Sequence, residues 1–144
     1  MKKNKFITAQ EAAAMVKSGD FVMVGGFLGH GTPDSIINAL CDSDVTDLTV
    51  AVNDTSFPAG AEKYGMRGVS ELIARHKIKT LHVSHIGTNP ETGKQMSEGT
   101  MEVILTPPPM GRRYTTRPAQ MPDLQQRRRS KSRTAYYSKC YFTF

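Results

Sequence analysis

Residues 22–40, with the sequence VMVGGFLGHGTPDSIINAL, constrain the fold of this chain more than any other segment. They open with three apolar residues, which is typical of the end of a buried parallel strand. A loop dense in glycine follows, and then Thr32-Pro33-Asp34 predicts a helix start. We expect Thr32 to cap the helix, Pro33 to take its first position and Asp34 to interact with the positive end of the helix dipole. The segment therefore predicts a strand, a glycine loop and a helix in succession.

The glycine loop is a candidate site for an anionic or carbonyl ligand. Glycines let backbone N–H groups approach a ligand without a Cβ in the way, and a helix N-terminus offers free donors and partial positive charge. The loop lacks the Lys-Ser/Thr of a P-loop, and its spacing does not give the dinucleotide-binding G-x-G-x-x-G. On glycine density alone, a tight turn that binds nothing is an equally good interpretation.

Strand and helix patterns alternate up to residue 106 and predict a parallel sheet with helices packed on it. Further strands are expected at 48–52, 78–86 and 101–105, with helices at 12–16 and 69–75 and a polar turn or helix at 91–98. Ligands bind beyond the carboxyl ends of the strands in such sheets. Three polar or glycine-rich clusters follow predicted strands, and we expect them to converge on one site: Gly25–Gly31, Asn53–Thr55 and His85–Asn89.

Residues 18–33, SGDFVMVGGFLGHGTP, resemble the first signature of class I CoA-transferases. That signature has an acidic or amide residue, Gly, two free positions, three apolar residues, G-G-F, three free positions and G-x-P. Ser18 is the one departure from it. LTVAVNDT at 48–55 and SHIGTNPETGKQMSEGTMEVILTP at 84–107 are similar to the alpha subunit of bacterial acetate, butyrate or acetoacetate CoA-transferases. The resemblance covers residues 6–106.

This resemblance implies an α/β fold with a parallel sheet flanked by helices, of which residues 1–106 form an N-terminal, incomplete part. It implies CoA transfer between short-chain acyl-CoA and carboxylates in a hetero-oligomer with a beta subunit. In this family the nucleophile is a glutamate in an S-E-N-G motif of the beta subunit, and that motif is absent from this chain. Ser97-Glu98-Gly99 comes near it but lacks the Asn and stands at another position, so we assign no catalytic residue.

The resemblance also implies ligand contacts for this chain. Asn53 matches a position that lines the acyl site, where its amide could donate to a carbonyl. A cap at the strand end is the alternative role for Asn53. No permanently bound cofactor is expected, since the coenzyme A thioester is itself the substrate. The residues that match the loop attributed to coenzyme A binding are Gly25, Gly26, Phe27, Leu28, Gly29, His30 and Gly31.

Other classes of site have little support in the sequence. The four histidines have neither metal-ligand spacing nor a cysteine or serine partner, so no metal site is predicted. Cys41 ends an apolar helix face and is expected to be a small core residue, and Met15 and Met23 are expected to pack in the core. The sequence contains neither a secretory signal nor a stretch of about 20 apolar residues, so we expect a cytoplasmic protein without membrane contact.

Residues 107–144 differ in composition from the rest of the chain. Residues 1–106 have a net charge of −2, whereas residues 107–144 have a net charge of +8, with seven arginines and five prolines. Such a segment buries too little apolar surface to offset its ordering entropy, so we expect a disordered basic tail. The family's Q-G-T-L is absent after Thr106-Pro107, which suggests a frameshift near codon 107 and an inactive chain. The alternative is a natural tail that binds nucleic acid through its arginines and aromatic residues, which we consider the weaker interpretation because the tail has no recognition motif.

Overall fold

The computed structural model describes residues 6–58 and 68–106, together with the backbone of residues 141–142. Helices and strands alternate along this part of the chain. The helices are α1 (Ala9–Ala13), α2 (Asp34–Asp42), α3 (Ser70–Ala74) and α4 (Pro90–Ser97). The strands are β1 (Phe21–Val24), β2 (Leu48–Ala51), β3 (Ile78–Val83), β4 (Glu102–Leu105) and β5 (Tyr141–Phe142).

The strands form one parallel sheet in the order β4-β3-β2-β1-β5. Strands β1 to β4 lie side by side in chain order, and a segment with a helix joins each one to the next. Each helix from α1 to α4 contacts the next one along the chain. Right-handed crossovers that add strands in one direction place their helices on one face of the sheet. The predicted α/β class with a parallel sheet and packed helices is confirmed.

The core lies between this sheet and the helices. Alternate residues of a strand face opposite sides of the sheet, so Val22 and Val24 of β1 point into the core while Phe21 and Met23 lie on the other face, where they are half-buried. Burying one such aliphatic side chain contributes roughly 1.5–3 kcal/mol. Core side chains with no exposed surface are Leu48, Val50, Val69, Leu72, Ile73, Leu81 and Val83.

The start of α2 differs from the sequence prediction. Pro33, not Thr32, is the N-cap residue, and no side chain caps the helix. The C=O of Pro33 accepts the N–H groups of Ile36 and Ile37, both at 3.0 Å, whereas the C=O of Thr32 accepts the N–H of Asp34 at 2.9 Å. The prediction that Thr32 caps α2 is therefore wrong by one residue, because Thr32 still belongs to the turn that precedes the helix.

Other local predictions have mixed outcomes. The capping box of Thr8 and Glu11 is present at α1, and Cys41 is buried in the core. Met15 follows the end of α1 and is 56% exposed, so its expected place in the core is wrong. Strand β3 ends at Val83 and is shorter than predicted, because the chain leaves the sheet to form the polar loop before α4.

The predictions for residues 107–144 lie outside the described residues, except for the backbone of β5. There, Tyr141 pairs with Met23 and Phe142 pairs with Val24. Within the described part of the chain, no helix has the length and apolar character needed to cross a membrane.

Candidate functional site

A tight turn stands at the carboxyl end of β1, within the glycine loop. The N–H of Phe27 donates to the C=O of His30 at 3.0 Å, and the N–H of His30 donates to the C=O of Phe27 at 2.9 Å. The two central residues, Leu28 and Gly29, have φ values of +50° and +85°. Positive φ at both central positions defines a type I′ turn. The loop therefore has a fixed hairpin shape that depends on a left-handed leucine.

The turn is packed closely against the start of α2. Gly26 has a φ of +124°, and a Cβ at this position would lie 2.5 Å from Thr32 Oγ1 and 2.9 Å from the carbonyl oxygen of His30. A Cβ on Gly25, by contrast, would meet no heavy atom within 4 Å. The chain therefore requires glycine at position 26 for its own packing, while position 25 is open for the close approach of another molecule.

The buried carboxylate of Asp54 accepts a hydrogen bond from the turn. Asp54 lies three residues after the end of β2 and is 3% exposed. The N–H of Leu28 donates to its Oδ1 and Oδ2 at 3.1 and 3.0 Å, and the N–H of Ser56 donates to Oδ1 at 2.9 Å. The side-chain amide of Asn53 donates to Oδ2 at 3.2 Å. Three donors from two loops thus satisfy one buried charge, which a buried carboxylate requires.

The third polar cluster, His85–Asn89, lies beside Asp54 and Thr55. Asp54 forms an isolated parallel bridge with His85, just beyond the end of β3. Asn89, which is 2% exposed, caps α4 by accepting the N–H of Glu91 at 3.1 Å, and its amide donates to the C=O of Thr55 at 3.4 Å. Together with the Leu28–Asp54 contact, these bonds confirm that the three clusters converge at the carboxyl ends of β1, β2 and β3.

Not all the predicted backbone donors are free to bind a ligand. The N–H groups of Phe27, Leu28 and His30 already have acceptors. Among the described residues, the N–H groups of Gly29 and Gly31 have none, and Gly31 is exposed. Gly29 is buried, so the exposed N–H of Gly31, just after the turn, is the donor that remains for a ligand oxygen.

Asn53 lies at the edge of this site and is half-buried. One N–H of its amide is bonded to Asp54, and no acceptor among the described residues contacts the other. Its backbone C=O accepts the N–H of Ser84 at 3.0 Å and the Ser84 hydroxyl. This placement leaves one amide N–H to donate to a carbonyl, and the acyl contact of Asn53 stays a prediction.

Buried hydroxyl groups add further polar atoms near α4. In the described part of the chain, the hydroxyls of Thr55, Thr88 and Thr92 are buried without a hydrogen-bond partner. Thr55 is joined to Asn89 through its backbone C=O, and Thr88 and Thr92 flank Asn89 in the sequence. Each hydroxyl can donate one hydrogen bond and accept others.

The sequence places Asp54 in a polar cluster but predicts no functional role for Asp54 or for Ser56. Their roles depend on the approach of two loops that are 26 residues apart at Leu28 and Asp54. Glu98 is exposed and follows the last residue of α4, whereas Asn89 caps the first turn of that helix. Glu98 therefore does not join the converging clusters.

The remaining titratable groups do not form a second centre in the described residues. No group of three or more His, Cys, Asp or Glu side chains there could hold a metal ion. Burial lowers the pKa of His82 and raises the pKa of the Cys41 thiol. Both residues belong to the packed body of the sheet and helices, whereas His30, His76 and His85 are exposed.

Comparison with known proteins supports one family. The family model described as coenzyme A transferase matches residues 6–115. The chain is 48% identical over 103 residues to a probable coenzyme A transferase subunit alpha of Bacillus subtilis, covering 72% of this chain and 42% of that protein. It is 43% identical over 105 residues to the acetate CoA-transferase subunit alpha of Escherichia coli, covering 73% of this chain and 44% of that protein.

A third relative supports the same family, and one solved structure has a similar fold. The acetoacetyl-CoA:acetate/butyrate CoA transferase alpha subunit of Clostridium acetobutylicum is 36% identical over 104 residues, covering 72% of this chain and 44% of that protein. The chain therefore spans less than half the length of these curated relatives. The crystal structure of a cysteine-to-serine variant of the decarboxylase AibA/AibB has the same fold, with a TM-score of 0.53 and 21% identity over 72% of this chain and 38% of that one.

Proposed function

Since the chain belongs to the coenzyme A transferase family, we propose that it acts as the alpha subunit of a short-chain acyl-CoA:acetate/acetoacetate CoA-transferase. In this proposal the loop Gly25–Gly31 contacts coenzyme A, Asn53 contacts the acyl group, and a beta subunit supplies the nucleophilic glutamate. The thioester substrate brings the coenzyme, so no resident cofactor is needed. Acetate, butyrate and acetoacetate are the proposed carboxylates because relatives with these names match the chain.

The observation that carries the proposal is the convergence of three clusters at one edge of the sheet. The turn at Phe27–His30 is bonded to Asp54, and Asp54 is paired with His85. Ligands of open α/β sheets bind at this edge. The exposed N–H of Gly31 and one amide N–H of Asn53 have no acceptor among the described residues. They suit a thioester or carboxylate oxygen, since such oxygens accept hydrogen bonds from preorganised donors.

The proposed reaction needs little from this chain beyond binding and orientation. The glutamate carboxylate of the beta subunit attacks the thioester carbonyl, the C–S bond breaks, and an acyl-glutamyl anhydride and a coenzyme A thiolate form. The thiolate then attacks the glutamyl carbonyl, which gives a glutamyl thioester and releases the first carboxylate. A second carboxylate then attacks the glutamyl thioester, which forms a new anhydride and releases the coenzyme A thiolate. The thiolate attacks the acyl carbonyl of this anhydride, which gives the new acyl-CoA and restores the glutamate carboxylate. The Asn53 amide is placed to donate to an oxygen that becomes negative in these steps.

The proposal is tested first by coenzyme A binding to the full 144-residue chain, measured by isothermal titration calorimetry. Gly25→Ala is the informative variant, because its added methyl group meets no protein atom within 4 Å. Gly93→Ala, in α4, is the matched control, since a Cβ there also lies in open space. We expect Gly25→Ala to raise the Kd for coenzyme A by about tenfold or more, which is ~1.4 kcal/mol, and Gly93→Ala to leave it unchanged.

The partner is tested by mixing the chain with a purified beta subunit of a short-chain CoA-transferase. Acetate-dependent transfer from acetoacetyl-CoA that requires both chains supports the complete proposal. We expect this version of the chain to bind the beta subunit and to transfer poorly, because it spans 42–44% of the length of the relatives named above. A chain that binds neither coenzyme A nor the beta subunit would contradict the proposal.

A further inference from the structure

We propose that Asp54 is the positioning residue of the coenzyme A loop: its buried carboxylate fixes the Phe27–His30 turn by holding two strained residues, Leu28 and Ser56, through their N–H groups. This inference rests on the proposed function for the identity of the ligand. It assigns to Asp54 a role in ligand affinity that differs from the direct contact proposed for its neighbour Asn53.

Backbone strain is the first observation behind this assignment. Leu28 and Ser56 have φ values of +50° and +56°, which non-glycine residues rarely adopt. Both donate their N–H groups to the same carboxylate, at 2.9–3.1 Å. Strained residues persist where the surrounding structure determines their conformation, and they cluster at functional sites. One buried acid thus stabilises two strained residues on two different loops.

The geometry of the Leu28 contact is the second observation. The Leu28 backbone nitrogen lies at nearly equal distances from both carboxylate oxygens, 3.1 Å from Oδ1 and 3.0 Å from Oδ2. The charge-assisted bond is stronger than a bond between neutral groups. It draws the tip of the turn toward the loop after β2 and leaves the exposed N–H of Gly31, which has no acceptor among the described residues, for the ligand.

The third observation is that the Asp54 carboxylate is fully used inside the protein. Its two oxygens receive Leu28, Ser56 and the Asn53 amide, and its exposed fraction is 3%. Direct attack on a substrate or metal binding would require breaking these bonds. A positioning role requires that they remain.

The experiment compares Asp54→Asn with Asp44→Asn, a matched substitution at an exposed loop position. Amide hydrogen exchange in the full chain reports on the turn through His30, whose N–H is bonded to the C=O of Phe27. The amide of Leu81, in β3, reports on the sheet. We expect Asp54→Asn to accelerate exchange at His30 by about tenfold or more, to leave Leu81 protected and to raise the Kd for coenzyme A, while Asp44→Asn changes none of these.

An ester variant keeps the test decisive if Asp54→Asn does not fold, and Leu28→Gly adds a double-mutant cycle if it does. An ester in place of the amide bond at Leu28 removes that single donor and retains the carboxylate with its other two donors. We expect the ester to accelerate exchange at His30 and to weaken coenzyme A binding. Leu28→Gly removes the strain, because glycine adopts positive φ readily. We expect the combination with Asp54→Asn to recover part of the lost affinity, as a double-mutant cycle measures.

The possible outcomes separate this inference from the proposed function. Unchanged exchange at His30 in both Asp54→Asn and the ester variant would overturn the positioning role. Accelerated exchange at His30 in variants of a chain that never binds coenzyme A would support the positioning of the turn and refute its assignment to coenzyme A. Loss of protection at Leu81 together with His30 in the ester variant would make the contact a general stabiliser of the fold and would also overturn the inference.

Discussion

The side-chain amide of Gln95 donates to the backbone C=O of Ile73 at 2.8 Å, inside the protein, and so joins α4 to α3. The same nitrogen donates to Glu91 Oε1 at 2.9 Å, one turn earlier in α4. Gln95 is 1% exposed and Ile73 is completely buried. Because Asn89 caps the start of this helix at the candidate site, the contact between Gln95 and Ile73 helps to fix the position of one wall of that site.

Gln95→Leu is expected to destabilise the chain by about 0.5–1.5 kcal/mol, because the C=O of Ile73 loses the buried Gln95 donor and keeps only the N–H of His76 at 3.0 Å. Urea unfolding followed by circular dichroism measures the change. Gln10→Leu, on the exposed side of α1, is the control and is expected to shift the unfolding free energy by at most about 0.5 kcal/mol. Equal unfolding midpoints for the two variants would show that the contact adds no stability.

Gly26→Ala is expected to destabilise the chain more than a positive φ alone explains. Its Cβ would lie 2.5 Å from Thr32 Oγ1, in addition to the cost of a φ of +124°. Gly99→Ala separates the two effects, since Gly99 has a φ of +73° and open space around it. Thermal unfolding should give a loss of roughly 1–3 kcal/mol for Gly99→Ala and a larger loss for Gly26→Ala. A smaller effect at Gly26 would mean that the turn moves freely away from α2.

Much of this architecture is predictable from the sequence because its causes are local. The capping box of Thr8 and Glu11, the β-branched run of β2 and the apolar face of α2 each lie within a short segment of chain. Alternation of these segments predicts a parallel sheet, and the sheet predicts that its carboxyl ends meet. The convergence of the three clusters follows from topology alone.

The details of the site depend on contacts between distant segments, which the sequence does not encode locally. No local pattern indicates that Leu28 takes a left-handed conformation, since glycines on either side of it offer the same freedom. Asp54 and Asn53 are neighbours with similar polar side chains, yet Asp54 is buried beneath the turn and Asn53 lies at its edge. Their different roles arise from which side chain faces the loop of the neighbouring strand.

The stability of the chain is expected to fall below neutral pH in part because of His82. Burial lowers the pKa of His82 below its ordinary value of 6.5, and nearby Glu102 opposes that shift. As the pH falls through 6.5, the unfolded chain binds a proton at His82 before the native chain does, so the unfolding free energy decreases with falling pH. The contribution is fully present above this pH and is lost progressively below it.

His82→Gln tests this by removing the titrating group from the sheet face where its ring lies 6.2 Å from that of Phe21. Urea unfolding at several pH values between about 5 and 7.5 covers the range below the usual histidine pKa. We expect a shallower dependence of stability on pH in His82→Gln than in the original chain. His85→Gln, at an exposed position, should retain the original dependence, and the reverse order would contradict the burial argument.

Leu105→Lys is expected to reduce self-association of the chain. Leu105 is 65% exposed and belongs to β4, the outermost strand on one side of the described sheet. An exposed edge strand with apolar side chains is a template for pairing with another chain, and a lysine there opposes such pairing by charge. The substitution removes little buried surface, so the free energy of unfolding should change by at most about 0.5 kcal/mol.

Static light scattering and sedimentation velocity over a range of concentrations measure this effect in the full chain. Lys79→Leu is the complementary variant, because Lys79 is exposed within β3, a strand that has β2 as its neighbour on one side and β4 on the other. We expect self-association to decrease for Leu105→Lys and to change much less for Lys79→Leu. Thr100→Lys adds the same positive charge outside the strand. An equal decrease in self-association for Thr100→Lys and Leu105→Lys would instead attribute the effect to net charge.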